Sequence, residues 1–332
     1  MIDEFHDYEP APWLPGPHAQ TLFAAFGRRR PDVLLAPELL PTPDGDAVWL
    51  WHHRVADGNP TVLILHGLEG SADSIYVLGT VEKLAAAGWN STVLEFRACG
   101  GRINRARRTY HSGETTDLDF VVRYLLGARP REPLLAIGFS LGGNVLAKWL
   151  GDLGGAVPIR AAAVVAAPYD LATCARTIDR CLFGRYSRYF LRTLVEKAEI
   201  KQRQFGNLFD MRRVRACRTI VDFDDCVTAP LHGFRDAADY YEKCSSGPLL
   251  GGIRVPTLLL AAADDPYIPA HVFPHVIAAA NPCLTPVLTS HGGHLGFVEG
   301  PTPRRATYWA EARAVAFLRE QSARVGATAG GN

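Results

Sequence analysis

The chain has 332 residues, 48% hydrophobic and 21% charged, and its 35 basic and 34 acidic side chains leave a net charge of +1. That balance fits a packed globular protein and excludes a disordered one. It gives no electrostatic reason to expect nucleic acid or an anionic membrane as partner. The arginine clusters Arg28–Arg30 and Arg102–Arg108 read as solvated, salt-bridged surface. The length calls for two parts, or one large α/β domain with an insertion. Seven cysteines, at 99, 174, 181, 217, 226, 244 and 283, are odd in number and contain no Cys-x-x-Cys pair. Reduced thiols and a cytoplasmic location are the expectation, without disulfide framework or zinc knuckle. The start, Met1–Phe5, is acidic and does not read as a signal peptide. Apolar stretches such as Ala161–Pro168 are strand-length, so no integral membrane segment is expected.

In chain order, residues 1–46 read as an arm laid over the main body. Prolines 10, 12, 15 and 17 argue against a helix there, although a short one can begin near Ala19. Ala47–Arg54 alternates as a strand, and Thr61–His66 is a continuous apolar run, the mark of a strand buried on both faces. Val77–Ala87 predicts a helix closed by Gly88. Strand Ser91–Phe96, helix Asp117–Leu126, strand Leu134–Ile137, helix Asn144–Leu150 and strand Ala161–Ala167 follow. Short apolar strands alternating with helices specify a mostly parallel sheet covered on both faces. The rhythm breaks over 170–250, where helical stretches such as Tyr189–Gln204 and Gly233–Lys243 come without a strand pair. This predicts a helical cap inserted into a core formed by residues 47–169 and 251–321. The sheet resumes at Thr257–Ala262 and Thr285–Thr289, a final helix covers about Arg304–Glu320, and 322–332 reads as a flexible tail.

Gly138-Phe139-Ser140-Leu141-Gly142-Gly143 follows a buried strand and opens a helix. A serine between glycines at that junction is the nucleophile elbow of an α/β-hydrolase fold. The turn is tight, neighbouring backbones must pass without a Cβ, and the helix N-terminus behind the serine favours negative charge. Ser140 is the expected nucleophile. His66-Gly67-Leu68-Glu69-Gly70 closes an earlier buried strand, where this fold takes a backbone N–H for its oxyanion hole. With the residue after the nucleophile, the donors would be Leu68 and Leu141, and His66 reads as a residue pinning the loop. The acid and then the histidine should follow the serine along the chain. Asp264-Asp265-Pro266 stands directly after a strand; Asp265 is favoured as the acid, with Asp264 as the alternative. His294, framed by Gly292, Gly293 and Gly296, is favoured as the base over His291. A metal held by His291, His294 and Glu299 has no recognised ligand spacing. Ser-His-Asp chemistry requires neither metal nor organic cofactor.

These motifs resemble the YheT-like hydrolases of the fourth AB-hydrolase family, whose eukaryotic relatives are α/β-hydrolase-domain lipases and esterases. The likeness runs from about Pro15 to Phe297. It includes Pro17-His18-Ala19-Gln20-Thr21, His66–Gly70, Phe96–Gly100, Tyr110–Thr115, Gly138–Asn144 and a stretch from Asp224 to Asp265. It implies Ser140, Asp265 and His294 as a catalytic triad, in agreement with the residues' own pattern. Ala98 stands where the family usually has glycine, which predicts a slight rearrangement of that loop. Tyr110–Thr115 is expected as loop structure near the pocket, with His111 a candidate substrate contact. The expected activity is hydrolysis of acyl esters of apolar acids, with a small-molecule ester as partner. Phe139, Leu141 and the cap aromatics Phe183, Tyr186, Tyr189 and Phe190 point to an apolar acyl pocket. An acyltransferase or thioesterase would use the same three residues. A non-catalytic ligand-binding protein on this fold is a rival of another class, but such proteins usually lose a triad member and here all three positions are filled.

Overall fold

The structure, a computed structural model, describes residues 7–329. The acidic start read against a signal peptide lies outside them, as do residues 330–332 of the expected tail. In chain order the chain forms α1 (Pro17–Leu22), β1 (Ala36–Pro41), β2 (Ala47–His53), β3 (Thr61–Leu65), α2 (Ile75–Ala86), β4 (Asn90–Glu95), α3 (Thr116–Ala128), β5 (Leu134–Phe139), α4 (Leu141–Leu153) and β6 (Ala162–Val165). A helical excursion follows, of α5 (Leu171–Arg180), α6 (Arg185–Phe205), α7 (Met211–Ala216), α8 (Ile220–Phe223), α9 (Ala229–Leu231) and α10 (Ala237–Cys244). The chain closes with β7 (Thr257–Ala262), α11 (His275–Ala280), β8 (Leu284–Thr289) and α12 (Trp309–Ala329).

The eight strands make one sheet in the order β1-β2-β4-β3-β5-β6-β7-β8. β2 pairs antiparallel with β1 and β4, and every other pairing is parallel. Strands β3, β4, β5, β6 and β7 bury every residue, as the apolar runs of all but β4 require; β4 buries Asn90, Ser91, Thr92 and Glu95 as well. The two-residue period divides them between two cores. Leu63 and Leu65 pack towards Leu118 and Val121 of α3 and Leu146 of α4. Val62 and Ile64 pack towards Val77 and Val81 of α2 and Phe317 of α12. The excursion has a core of its own, which includes Leu191, Val214, Phe223 and Tyr240.

Three expectations are corrected. Residues 36–41, counted in the arm, form the outermost strand, since an edge strand tolerates Pro37 and Pro41 where a central one would not. Pro17 does not prevent a helix but opens α1, where its missing N–H would have no intrahelical partner anyway. Residues 322–329, read as tail, continue α12.

Arg97 explains the loop that carries Ala98. Its guanidinium is fully buried, 2.7 Å from Asp117, 2.8 Å from Asp46 and 3.0 Å from Asp44. The chain must then turn sharply, and Ala98 takes φ +63 while buried. The alanine thus keeps a backbone that glycine adopts freely, at a cost of about 1–2 kcal/mol for an L-residue. Glycine's larger unfolded-state entropy returns about 0.5–1 kcal/mol of that. Ala98→Gly is therefore expected to raise stability by about 0.5–1 kcal/mol, read as a higher urea midpoint at unchanged slope. A lower midpoint would mean that the methyl's packing outweighs the strain.

Candidate active site

β5 ends at Phe139 and α4 begins at Leu141, so Ser140 alone makes the turn, at φ 51 and ψ −120. Its N–H donates to Val165 O at 2.8 Å, which ties the elbow to β6. A Cβ on Gly138 would lie 2.5 Å from Gly142 O. One on Gly142 would lie 2.6 Å from Leu65 O and overlap His66 O as well. Only glycine lets α4 leave the sheet this close to the ends of β3 and β5.

Ser140 Oγ lies 3.0 Å from His294 Nε2, and His294 Nδ1 lies 2.8 Å from Asp265 Oδ2. Asp265 Oδ1 accepts from the N–H groups of Tyr267 (2.7 Å) and Ile268 (3.2 Å). Both Asp265 and His294 are buried. The neighbouring Asp264 faces elsewhere: it accepts from Gly293 N–H at 2.9 Å and lies 3.4 Å from exposed His291. Of the paired candidates, Asp265 and His294 are brought together with Ser140, while Asp264 and His291 brace the loop that carries His294.

The Pro17–Thr21 motif, visible in sequence but without a chemistry of its own, clamps the same loop. Thr21 Oγ1 accepts from His294 N–H at 2.9 Å and donates to Pro17 O at 2.8 Å. Gln20 grips Val298, accepting from its N–H at 2.7 Å and donating to its carbonyl at 3.3 Å.

Two tyrosines shape the loop after β3: Tyr76, which sequence reasoning missed, and Tyr110, which opens the Tyr110–Thr115 motif expected near the pocket. Gly67 N–H donates to Tyr76 Oη at 2.8 Å, Glu69 N–H to Tyr110 Oη at 2.9 Å, and Gly70 N–H to Gly67 O at 3.0 Å. Between the two N–H groups that the tyrosines take up, the Leu68 N–H finds no acceptor among the described residues. Leu141, first residue of α4, has no acceptor within its helix. Both residues border the same cavity as Ser140. His66 pins the loop as expected: it is fully buried, accepts from Phe96 N–H at 3.1 Å through Nε2, and donates to Gly67 O at 2.8 Å through Nδ1.

Two cavities meet at Ser140 and His294. The inner one runs under the helical excursion and is walled by Leu171, Ile178, Leu194, Phe223, Val227 and Tyr241. His111 borders it too, packed on His232 and Tyr240, and burial lowers its pKa to about 4. The outer cavity opens to solvent past Leu22, Phe26, Tyr186, Tyr189 and Phe190. Tyr189 and Phe190 therefore line the mouth rather than an acyl pocket, as does Tyr186, and Phe183 borders neither cavity and is 88% exposed. Among the described residues no three His, Cys, Asp or Glu side chains converge as metal ligands, and no helix is long and apolar enough to cross a membrane.

A doubly covered sheet with a strained serine between its central strand and a helix defines an α/β hydrolase. Residues 60–301 match the alpha/beta hydrolase fold family. The chain is 38% identical over 301 residues to "Putative esterase YheT" of Escherichia coli (strain K12), across 89% of this chain and 88% of that protein. It is 33% identical over 310 residues to Phospholipase ABHD3 of Homo sapiens, across 91% of this chain and 76% of the relative. Among solved structures, the esterase PF2001 of Pyrococcus furiosus shares the fold, with a TM-score of 0.58 at 18% identity over 88% of this chain and 92% of the other. The chain belongs to the alpha/beta hydrolase fold family, as a YheT-like hydrolase of the esterase and lipase type.

Burial lowers the His66 pKa from 6.5 to about 4. Protonation therefore favours the unfolded chain, and stability held above pH 6.5 drains as pH falls towards 4. At about pH 5 the loss from this residue alone is about 2 kcal/mol. His111, and His232 with a pKa lowered to about 3, act in the same direction. Urea midpoints should fall steadily across this range; a flat profile would contradict a neutral buried His66.

Proposed function

We propose that this protein hydrolyses carboxylic esters of apolar acyl groups through a Ser-His-Asp triad and an acyl-enzyme intermediate. The observation that carries the reading is the unbroken hydrogen-bonded chain Ser140–His294–Asp265 at the junction of the two cavities. His294 Nε2 takes the hydroxyl proton as Ser140 Oγ attacks the acyl carbon. Asp265 accepts from Nδ1–H, which keeps Nε2 the proton acceptor and stabilises the imidazolium. The N–H groups of Leu68 and Leu141 receive the oxyanion, with the α4 N-terminus behind them. His294 returns its proton to the leaving alkoxide. Water entering by the mouth is then deprotonated by His294 and releases the acid.

The apolar walls of the inner cavity support an apolar acyl group there, with His111 a neutral contact and the alcohol portion directed to the mouth. In this reading residues 170–250 act as a cap over the core of 47–169 and 251–321. The names of the relatives, an esterase and a phospholipase, support ester chemistry. Transfer to an alcohol would use the same groups, and added alcohol in the assay would reveal it as a second product.

Ser140→Ala is expected to lower kcat for p-nitrophenyl esters by roughly 10⁵–10⁶-fold and to abolish fluorophosphonate labelling. Asp265→Asn should cost about 10⁴-fold, because it stabilises the wrong imidazole tautomer. Asp264→Asn should cost far less, and the opposite ranking would move the acid role to Asp264. Retention of activity by Ser140→Ala would end this reading. A series from acetate to palmitate locates the chain length that fills the inner cavity.

A further inference from the structure

We propose that the rim of the outer cavity is a docking surface for an anionic lipid bilayer. Nine large hydrophobic residues are exposed among the described residues, and three of them, Leu22, Phe26 and Tyr189, line the mouth. Phe183 joins them, because Leu182 and Arg185 on either side of it in sequence line the mouth as well. The patch is continuous across two parts of the chain, since the rings of Phe26 and Tyr189 meet at 6.1 Å. Phe183 is 88% exposed, the most exposed side chain of the nine. It is held out by a turn in which Leu182 (φ 45) and Phe183 (φ 55) are both left-handed, a conformation bulky residues rarely adopt. Neither the exposure nor the strain gains anything in water, whereas a lipid interface would bury the ring.

Charge decides which interface. Arg185, Arg188 and Arg192 alternate with these aromatics along α6, and no acidic residue falls between Arg180 and Val195. The carboxylate that lines the mouth, Glu69, is taken up by Lys197 and Tyr110, both at 2.7 Å. Arg185 and Arg192 have no ionic partner among the described residues. A net charge of +1 therefore conceals a local face of arginines and aromatic rings, the combination that seats an amphipathic surface among anionic headgroups. Docked in this way, the mouth opens onto the bilayer, and an acyl chain could pass from lipid to the inner cavity without crossing water. The docking does not depend on the ester chemistry proposed above.

The test is co-sedimentation of the full chain with vesicles of phosphatidylcholine alone or with added phosphatidylglycerol, at low and high salt. The protein is expected to partition onto the anionic vesicles and to be released by salt. Phe183→Ser should weaken partitioning by about tenfold, with hydrolysis of a soluble short-chain ester unchanged as the sign of an intact fold. Arg185→Ser and Arg192→Ser should each cost about fivefold at low salt. Ser140→Ala should bind vesicles like the wild type, so failure of the catalytic reading and failure of this one remain distinguishable. Absence of partitioning, equal binding to phosphatidylcholine alone, an unaffected Phe183→Ser variant, or a solution dimer that buries the patch would each overturn the proposal.

Discussion

The close approach of three backbones at Ser140 is the constraint on which the site depends. α4 starts within contact of the Leu65 and His66 carbonyls because Gly142 has no side chain, and β5 reaches the turn because Gly138 has none. That approach sets the Leu68 loop, at the end of β3, beside the first N–H of α4. The Leu68 and Leu141 N–H groups come from different elements, and no local feature of either could bring them together. A methyl group at position 142 would push them apart by forcing a backbone to move, so the glycines act on the site through geometry rather than flexibility.

Around this point, supports arrive from distant parts of the chain. Tyr76 and Tyr110 each occupy one N–H of the β3 loop, leaving the one between them open. Lys197, on α6, reaches Glu69 at 2.7 Å and so links the helical excursion to the same loop. An ion pair this buried adds little net stability once desolvation is counted, but losing one partner strands the other, so it enforces one arrangement of excursion and loop. Thr21 and Gln20 do the same for the His294 loop from the opposite end of the sequence. The loop that carries His294 is therefore held from more than 270 positions away, and the β3 loop in part from 128.

This pattern explains what was legible in the sequence. Central strands could be read because burial on both faces writes an unbroken apolar run. β1 could not, because its prolines are tolerated only by an edge position that the sequence does not declare. The start of α4 was read three residues late, since Gly142 and Gly143 look like helix breakers until their packing against β3 and Ala167 is seen. Ser140 and His294 stood out through their glycine frames. Asp264 and Asp265 share one turn, and only the direction of their side chains separates them. Thr21 and Tyr110 stand in visible motifs without a chemistry of their own and Tyr76 in none, because their roles exist only once distant loops meet. Phe183 was read as a pocket residue for its ring, whereas the left-handed turn that exposes it leaves no compositional trace.

The distribution of strain follows the same logic. Outside glycine, nine described residues have positive φ, and Glu69, Ala98, Ser140 and Ala166 each sit just beyond the carboxyl end of a parallel strand or, for Ala98, of β4. Leu295 and Phe297 follow His294 directly in its turn. In a parallel sheet all carboxyl ends lie on one edge, and there each chain must leave the plane abruptly for its crossover. Such turns cost roughly 1–3 kcal/mol apiece and persist only where surrounding structure over-determines them. The fully buried strands beneath provide that restraint. Rigid, strained loops at one edge are also what precise placement of an attacking oxygen and its anion donors demands. The site thus stands where the sheet can sustain the strain, and the helical excursion leaves β6 at that same edge.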